Sequence, residues 1–327
     1  MLEAEATIEN YIVKFTKEKN ENEKDSIFNQ LLQYLEDNPD IKELELYNIS
    51  LSLKQLKALS INRTLQKLVL GYNKIDDEGA AILSKNYTLT ELILIGNSIG
   101  DKGAQAFAKN NSHLNMLYLI FAEIGDEGAK AFVDNPTLTA LCLIGNKISD
   151  EGAAVLAENS KIIDLSLGHN NIGNKGCGAL ANNTTLKTLD LANNNIDDAG
   201  IKHWQDNTTL INFYLLNNGK IGNDSARYLL ANTTLKRLNV SRTGMTDEGF
   251  KTLGEHTTLT TLDFSRNTVS DRGVKDYAKI NTTVRELDLS YNSEVLREPK
   301  HWQIFPLQRL IYLSIKLAMT EPKRWQK

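Results

Sequence analysis

The chain has 327 residues, 41% of them hydrophobic and 24% charged, which is the composition of a folded protein with material for a large core. Lysine and arginine (37) do not outnumber aspartate and glutamate (41), the net charge is -4, and no basic run is present that would neutralise a phosphate backbone. Nucleic acid is therefore not an expected partner, and with no run of about 18 apolar residues a membrane is not expected either. Cys142 and Cys177 are too few for a disulfide framework or a four-cysteine zinc site. The start, Met1-Leu2-Glu3-Ala4-Glu5, is acidic and has no signal-peptide core, so a cytoplasmic location is expected.

Residues 1–40 predict a helical hairpin that caps the segment after it. Ile8, Tyr11, Ile12 and Phe15 recur at helical spacing, as do Ile27, Phe28, Leu31, Leu32 and Leu35, and the polar run Lys17–Lys24 separates the two groups.

From Ile41 onward one pattern restarts at Leu65, Leu89, Leu114, Leu138, Ile162, Leu186, Leu210, Leu235, Leu259 and Val284, every 24 or 25 residues. Apolar residues stand three and five places after each start, as in Leu65/Leu68/Leu70, at the period of two that buries one face of a short strand. An Asn usually follows at the eighth place (Asn73, Asn97, Asn146, Asn170, Asn194, Asn218, Asn267, Asn292), where its amide can bond turn backbone and stack into a ladder. Ala122 and Thr243 interrupt that ladder. Acidic residues such as Asp76-Asp77-Glu78 then open a helix whose Ala80 and Leu83 face inward. A single unit cannot bury its own leucines, but about eleven stacked units can. The repeats span residues 41–292. Beyond them the period is lost, and Trp302, Phe305, Leu307, Leu310, Tyr312 and Leu313 predict a second cap over 293–327.

The recurring L-x-x-L-x-L-x-x-N-x-I is the signature of leucine-rich repeats. The pattern resembles the ribonuclease-inhibitor-like class, and its 24-residue GALA variety of bacterial secreted effectors, through Gly152-Ala153-Ala154-Val155-Leu156-Ala157 and Gly176-Cys177-Gly178-Ala179-Leu180-Ala181. The resemblance implies an α/β solenoid of horseshoe shape, with a concave parallel β-sheet and convex helices. It also implies a protein-binding scaffold that encloses a partner. GALA-type effectors often carry an F-box before their repeats, which implies, as an alternative, a ubiquitin-ligase adaptor. The segment Ile27–Leu35 has the hydrophobicity of such a helix but lacks a Leu-Pro opening.

In this register the residues two, four and six places after each start should face the concavity, with the seventh at its rim. Val69, Ile93, Ile95, Met116, Tyr118, Ile120, Phe121, Cys142 and Ile144 then gather over four adjacent strands, with Tyr72 at the edge. An exposed apolar patch of this kind marks an interaction site. Covering by the N-terminal hairpin or by a second copy is the alternative. Further along, the face turns polar or charged, with His169, Tyr214, Arg237, Arg242 and Arg266 as candidate contacts, and Asp263 and Asp288 in reach to pair with the arginines.

No catalytic constellation emerges. Cys142 and His169 stand on neighbouring units, but Ser166 is level with Cys142 and His169 lies three residues further, about 10 Å along a strand. The histidines are scattered without ligand spacing, no phosphate-binding loop occurs, and the Asn-Thr-Thr strings at Asn183, Asn207, Asn232 and Asn281 read as turns rather than glycosylation sites. The expectation is a non-enzymatic protein without cofactor or metal, monomeric until it meets its protein partner. The resemblance to GALA-type effectors implies that this partner is an enzyme of a host or of a co-delivered effector, which would place the protein in the host cytoplasm.

Overall fold

The computed structural model describes residues 2–110 and 113–292, which fall into two compact units with the break between Asn170 and Asn171. The segment 293–327, read as a C-terminal cap, lies outside the described residues.

The first unit opens with α1 (Leu2–Lys17) and α2 (Glu21–Asp37). Strands and helices then alternate: β1 (Glu43–Glu45), α3 (Leu53–Ile61), β2 (Lys67–Val69), α4 (Asp77–Leu83), β3 (Glu91–Ile93), α5 (Gly100–Asn110), β4 (Met116–Tyr118), α6 (Asp126–Lys130), β5 (Ala140–Cys142), α7 (Asp150–Leu156) and β6 (Asp164–Ser166). Neighbouring strands pair in parallel with no slip, Leu44 opposite Leu68, Leu92, Leu117, Leu141 and Leu165 in turn. The register equals the repeat length, so equivalent residues form rows across the sheet. In the second unit, α8 (Asn174–Ala181), β7 (Thr188–Asp190), α9 (Asp198–Ile201) with a 3-10 turn at Lys202–Asp206, β8 (Asn212–Tyr214), α10 (Asn223–Ala231), β9 (Arg237–Asn239), α11 (Asp247–Gly254), β10 (Thr261–Asp263), α12 (Asp271–Ile280) and β11 (Glu286–Asp288) repeat the scheme. Their strands are again parallel and in chain order.

Leucines on one side of the strands and the inner residues of the helices make the core: Leu68, Leu70, Ile75, Ala80 and Leu83 are all buried. Aromatic side chains widen this layer in the second unit, where Trp204 packs on Phe213 and the Phe250 and Tyr277 rings stack at 4.1 Å.

Three ladders of polar side chains satisfy the backbone between repeats. At the strand exit, Asn97 accepts the amides of Asn73 and Ile75 at 3.0 Å and donates to Leu70 O at 2.7 Å. Asn146, Asn170, Asn218, Asn267 and Asn292 each bond backbone of the preceding repeat in the same way. Of the two interruptions, Thr243 keeps hydrogen-bond contacts through its hydroxyl, with Val240 O at 2.9 Å and Asn267 Oδ1 at 3.0 Å, whereas Ala122 has no side-chain group to offer.

At the helix start the carboxylates reach across repeats as well as along their own helix. Asp76 caps α4 through the Gly79 amide, but Asp77 accepts the Gly103 amide of α5, Asp101 the Gly128 amide of α6, and Asp126 the Gly152 amide of α7. At the helix exit, buried Asn62, Asn86, Asn135, Asn159, Asn183, Asn207 and Asn232 hold the turn into the strand, as when Asn86 accepts from Thr88 and Leu89 and donates to Leu59 O. In this row His256 takes the place of Asn, its Nδ1 accepting the Thr258 and Leu259 amides at 3.2 Å.

The hairpin covers the exposed edge of the first repeat. Phe15, Phe28 and Leu31 are buried, they share one small cavity with Leu46 and Ile49, and Asp25 accepts from Lys54 at 2.6 Å and Gln55 at 2.9 Å on α3.

Candidate functional site

With leucines pointing to the helices, the intervening residues of β1–β6 point to the open face of the sheet. Its rows run Glu43, Lys67, Glu91, Met116, Ala140, Asp164 and, two places on, Glu45, Val69, Ile93, Tyr118, Cys142, Ser166. Tyr47, Ile95, Ile120 and Ile144 extend the second row's direction past the strand ends, and Tyr72, Phe121 and His169 stand at the rim.

Tyr47 (48% exposed), Tyr72 (53%), Met116 (40%) and Phe121 (54%) present large apolar surface here, and Ile93, Ile95, Tyr118, Ile120 and Ile144 are half-buried beside them. The hairpin does not cover this face. Two sequence candidates drop out: Val69 is 1% exposed and Cys142 7%. Val69 is a short side chain between the taller Glu45 and Ile93 in register, and Cys142 stands beside the taller Tyr118. They support the surface without contributing to it.

The rim has a backbone signature. At the seventh position of every repeat in this unit φ is positive: Asn48 52°, Tyr72 56°, Gly96 67°, Phe121 50°, Gly145 71° and His169 54°. The cause is local. The amide still completes the sheet pattern, Tyr72 N–H to Ile95 O at 2.8 Å and Phe121 N–H to Ile144 O at 2.9 Å, and the chain must then turn sharply toward the Asn ladder. Left-handed backbone disfavours residues with a Cβ by about 1–2 kcal/mol, and most of all bulky ones. The glycines at Gly96 and Gly145 do more than relieve that strain. A Cβ on either would collide with the ring of Tyr72 or Phe121 respectively, and one on Gly71 with the ring of Tyr47. Each aromatic ring thus lies on a glycine of the following repeat, with its other side in solvent. The signal was present in the sequence as an aromatic followed by glycine at the equivalent place one repeat on: Tyr47/Gly71, Tyr72/Gly96, Phe121/Gly145.

The face is acidic. Its two strand rows hold Glu43, Glu45, Glu91 and Asp164 against one cation, Lys67, which pairs with Glu43 at 2.6 Å. Burial, then the Glu91 carboxylate, raises the Tyr118 phenol above its ordinary value. The phenol therefore stays neutral and available as a hydrogen-bond donor.

In the second unit Tyr214 is half-buried, while Arg237, Arg242 and Arg266 are exposed. The expected arginine–aspartate pairs do not form among the described residues. Asp263 instead accepts the Ser265 amide (3.0 Å) and the side-chain amide of Asn239 on the neighbouring strand (2.9 Å), Asp288 accepts the Ser290 amide (2.8 Å), and Arg266 lies over the Tyr291 ring at 4.4 Å. Arg242 and Arg266 occupy the same left-handed rim position as Phe121.

Cys142 is level with Ser166, as the spacing implies, and is buried, whereas His169 is exposed at the rim. Among the described residues no three His, Cys, Asp or Glu side chains come together as a metal could require, and no helix is long and apolar enough to cross a membrane. Asn183, Asn207 and Asn232 are buried, with their amides engaged in the helix-exit ladder, which fits their reading as turn residues.

No curated protein matches the chain. Among solved structures it is similar to an internalin of Listeria monocytogenes (TM-score 0.54, 22% identity, covering 76% of this chain and 68% of that one). It is also similar to the chain in a TLR13–ssRNA13 complex (TM-score 0.54, 19% identity, 81% of this chain and 38% of that one). A further likeness, to the yeast Rad7 and Elc1 complex, has a TM-score of 0.48 at 16% identity, over 96% of this chain and 93% of that one. These likenesses concern the fold alone. The family model described as Leucine Rich repeat matches residues 62–84, 85–108, 110–133, 134–157, 158–181, 182–202, 231–254, 255–276 and 281–293, more than half of the chain. Its repeat length, in-register parallel strands and asparagine ladder are those the sequence pattern demands, and the chain belongs to the leucine-rich repeat family.

Proposed function

We propose that the protein is a non-enzymatic recognition scaffold and that the open face of β1–β6 binds a protein partner. One observation carries this: Tyr72, Met116 and Phe121 expose about half of their surface beside half-buried Ile93, Ile95, Tyr118, Ile120 and Ile144, and no described element covers them. Water contact at such a contiguous surface is unfavourable, and aromatic and Met side chains are typical of interface cores. Closing the exposed half of one large side chain contributes about 1 kcal/mol, so several must be covered together to offset the cost of association, about 4 kcal/mol or more. Several are present.

The narrower reading is that the partner is an enzyme which this chain inhibits or regulates, as a bacterial effector acting in host cytoplasm. It rests on the resemblance of the repeats to the ribonuclease-inhibitor-like class and its GALA variety. The second unit has its own charged side chains, exposed Arg237, Arg242 and Arg266, which would add specificity and association rate with a partner that reaches them. Recruitment of a ligase by residues 1–40 is less favoured, because the apolar side of the hairpin is spent on Leu46 and Ile49.

The test is a capture experiment from host and bacterial lysates with the native protein beside a Tyr118→Ala/Phe121→Asp variant of unchanged circular dichroism. Loss of one defined protein with the variant supports the reading and supplies the enzyme to assay. Recovery of the same proteins by both baits would remove the open face from consideration.

A further inference from the structure

We infer that the open face of β1–β6 takes a basic amphipathic segment of its partner: an apolar stretch that lies across the rings of Tyr72 and Phe121, with lysine or arginine on its flank. This rests on the protein-binding reading above and names the chemistry of what binds.

Two independent observations select that chemistry. The first is charge. Four carboxylates and one ammonium line the strand rows, and the ammonium of Lys67 is taken by Glu43. Glu45, Glu91 and Asp164 make no ion pair among the described residues, although all three border the apolar rows. The helix-start carboxylates of the same unit behave differently: Asp77, Asp101 and Asp126 are saturated by backbone amides of the next repeat. Carboxylates left free beside an apolar surface attract cationic residues and repel anionic segments, nucleic acid and acidic lipid alike.

The second is the posture of the rings. Tyr72 and Phe121 adopt the left-handed backbone that glycine takes in alternate repeats, and each is laid against the glycine that follows it. Two strand steps separate them, about 9.6 Å, which is close to two turns of a partner helix or three residues of an extended chain. Rings held against the following glycines before binding lose little freedom on contact. Apolar anchors at i and i+7 of a helix match that spacing.

The probe is a pair of synthetic 18-residue amphipathic peptides with the same Leu/Phe face, one carrying lysine and the other glutamate on its flanks. Each is titrated against the full chain by fluorescence anisotropy at low salt. The lysine peptide is expected to bind at least tenfold more tightly, the preference to narrow as salt is raised, and the order to reverse with Glu45→Lys/Glu91→Lys. Tyr72→Ala/Phe121→Ala should weaken the lysine peptide at least tenfold, with circular dichroism unchanged. Equal binding of both peptides, lost in Tyr72→Ala/Phe121→Ala, would overturn the basic partner while leaving protein binding at this face intact. Binding of neither peptide, or tighter binding of single-stranded RNA or anionic vesicles than of the lysine peptide, would also overturn it. The capture experiment with Tyr118→Ala/Phe121→Asp decides the broader reading separately.

Discussion

Replacing Asn146 by alanine should cost far more than its exposed neighbours would suggest, because one side chain satisfies backbone of two turns. Its Oδ1 accepts the amides of Ala122 (3.1 Å) and Ile124 (3.0 Å), and its Nδ2 donates to Leu119 O (2.8 Å) and Leu143 O (2.9 Å). Ala122 and Ile124 are fully buried, so water cannot replace the lost acceptor. A buried amide left without a partner costs about 1–3 kcal/mol, and two of them place Asn146→Ala at about 2–6 kcal/mol. The protein itself contains the complementary case. At Ala122 the ladder is missing, so no side chain there can accept the amides of Asn97 and Ile99 in the way Asn146 accepts those of Ala122 and Ile124. Ala122→Asn should therefore stabilise the first unit by about 1–2 kcal/mol, since it adds hydrogen bonds to groups already buried. Urea unfolding followed by circular dichroism reads the global effect, and amide exchange at Ile124 and Ile99 localises it. A cost below 1 kcal/mol for Asn146→Ala, together with destabilisation by Ala122→Asn, would refute the claim that the ladder holds the repeats through these amides.

His256 should make the second unit acid-sensitive: burial lowers its pKa from 6.5 to about 4, and its Nδ1 is already an acceptor for two amides. Between those two pH values the unfolded chain binds a proton that the folded chain refuses, so stability is full above 6.5 and falls by about 3 kcal/mol as pH drops to 4. His256→Asn, which copies the other repeats, should remove that part of the slope in urea midpoints measured against pH; an unchanged slope would count against it. Gly145→Ala should destabilise by about 2–3 kcal/mol, part from φ of 71° and part from collision with the Phe121 ring. In a Phe121→Ala background only the backbone part, about 1 kcal/mol, should remain, and a double-mutant cycle showing strict additivity would deny that the ring rests on this glycine.

The repeat register was legible in the chain because its period is simple. Leucines at three and five places and asparagine at eight specify a three-residue strand, its buried side and its exit, and the strands pair with no slip from that period. Most open-face residues followed from the same alternation of side chains. What the period could not supply was the height of one side chain against its neighbours across the sheet. Val69 and Cys142 share their row with Ile93 and Tyr118 yet are buried, because shielding depends on the strand beside, not on the residue itself. Contacts across repeats were hidden for the same reason. Asp77 looks like a cap for its own helix but accepts the Gly103 amide, Asp263 looks like a partner for arginine but accepts the Ser265 amide, and the left-handed turn that lays Tyr72 and Phe121 on glycines arises only when one repeat is stacked on the next. Local pattern determined the elements and their faces. Which side chains remained in solvent, and with which charges unpaired, was decided by neighbours 24 or 25 residues away in the chain and one strand away in space.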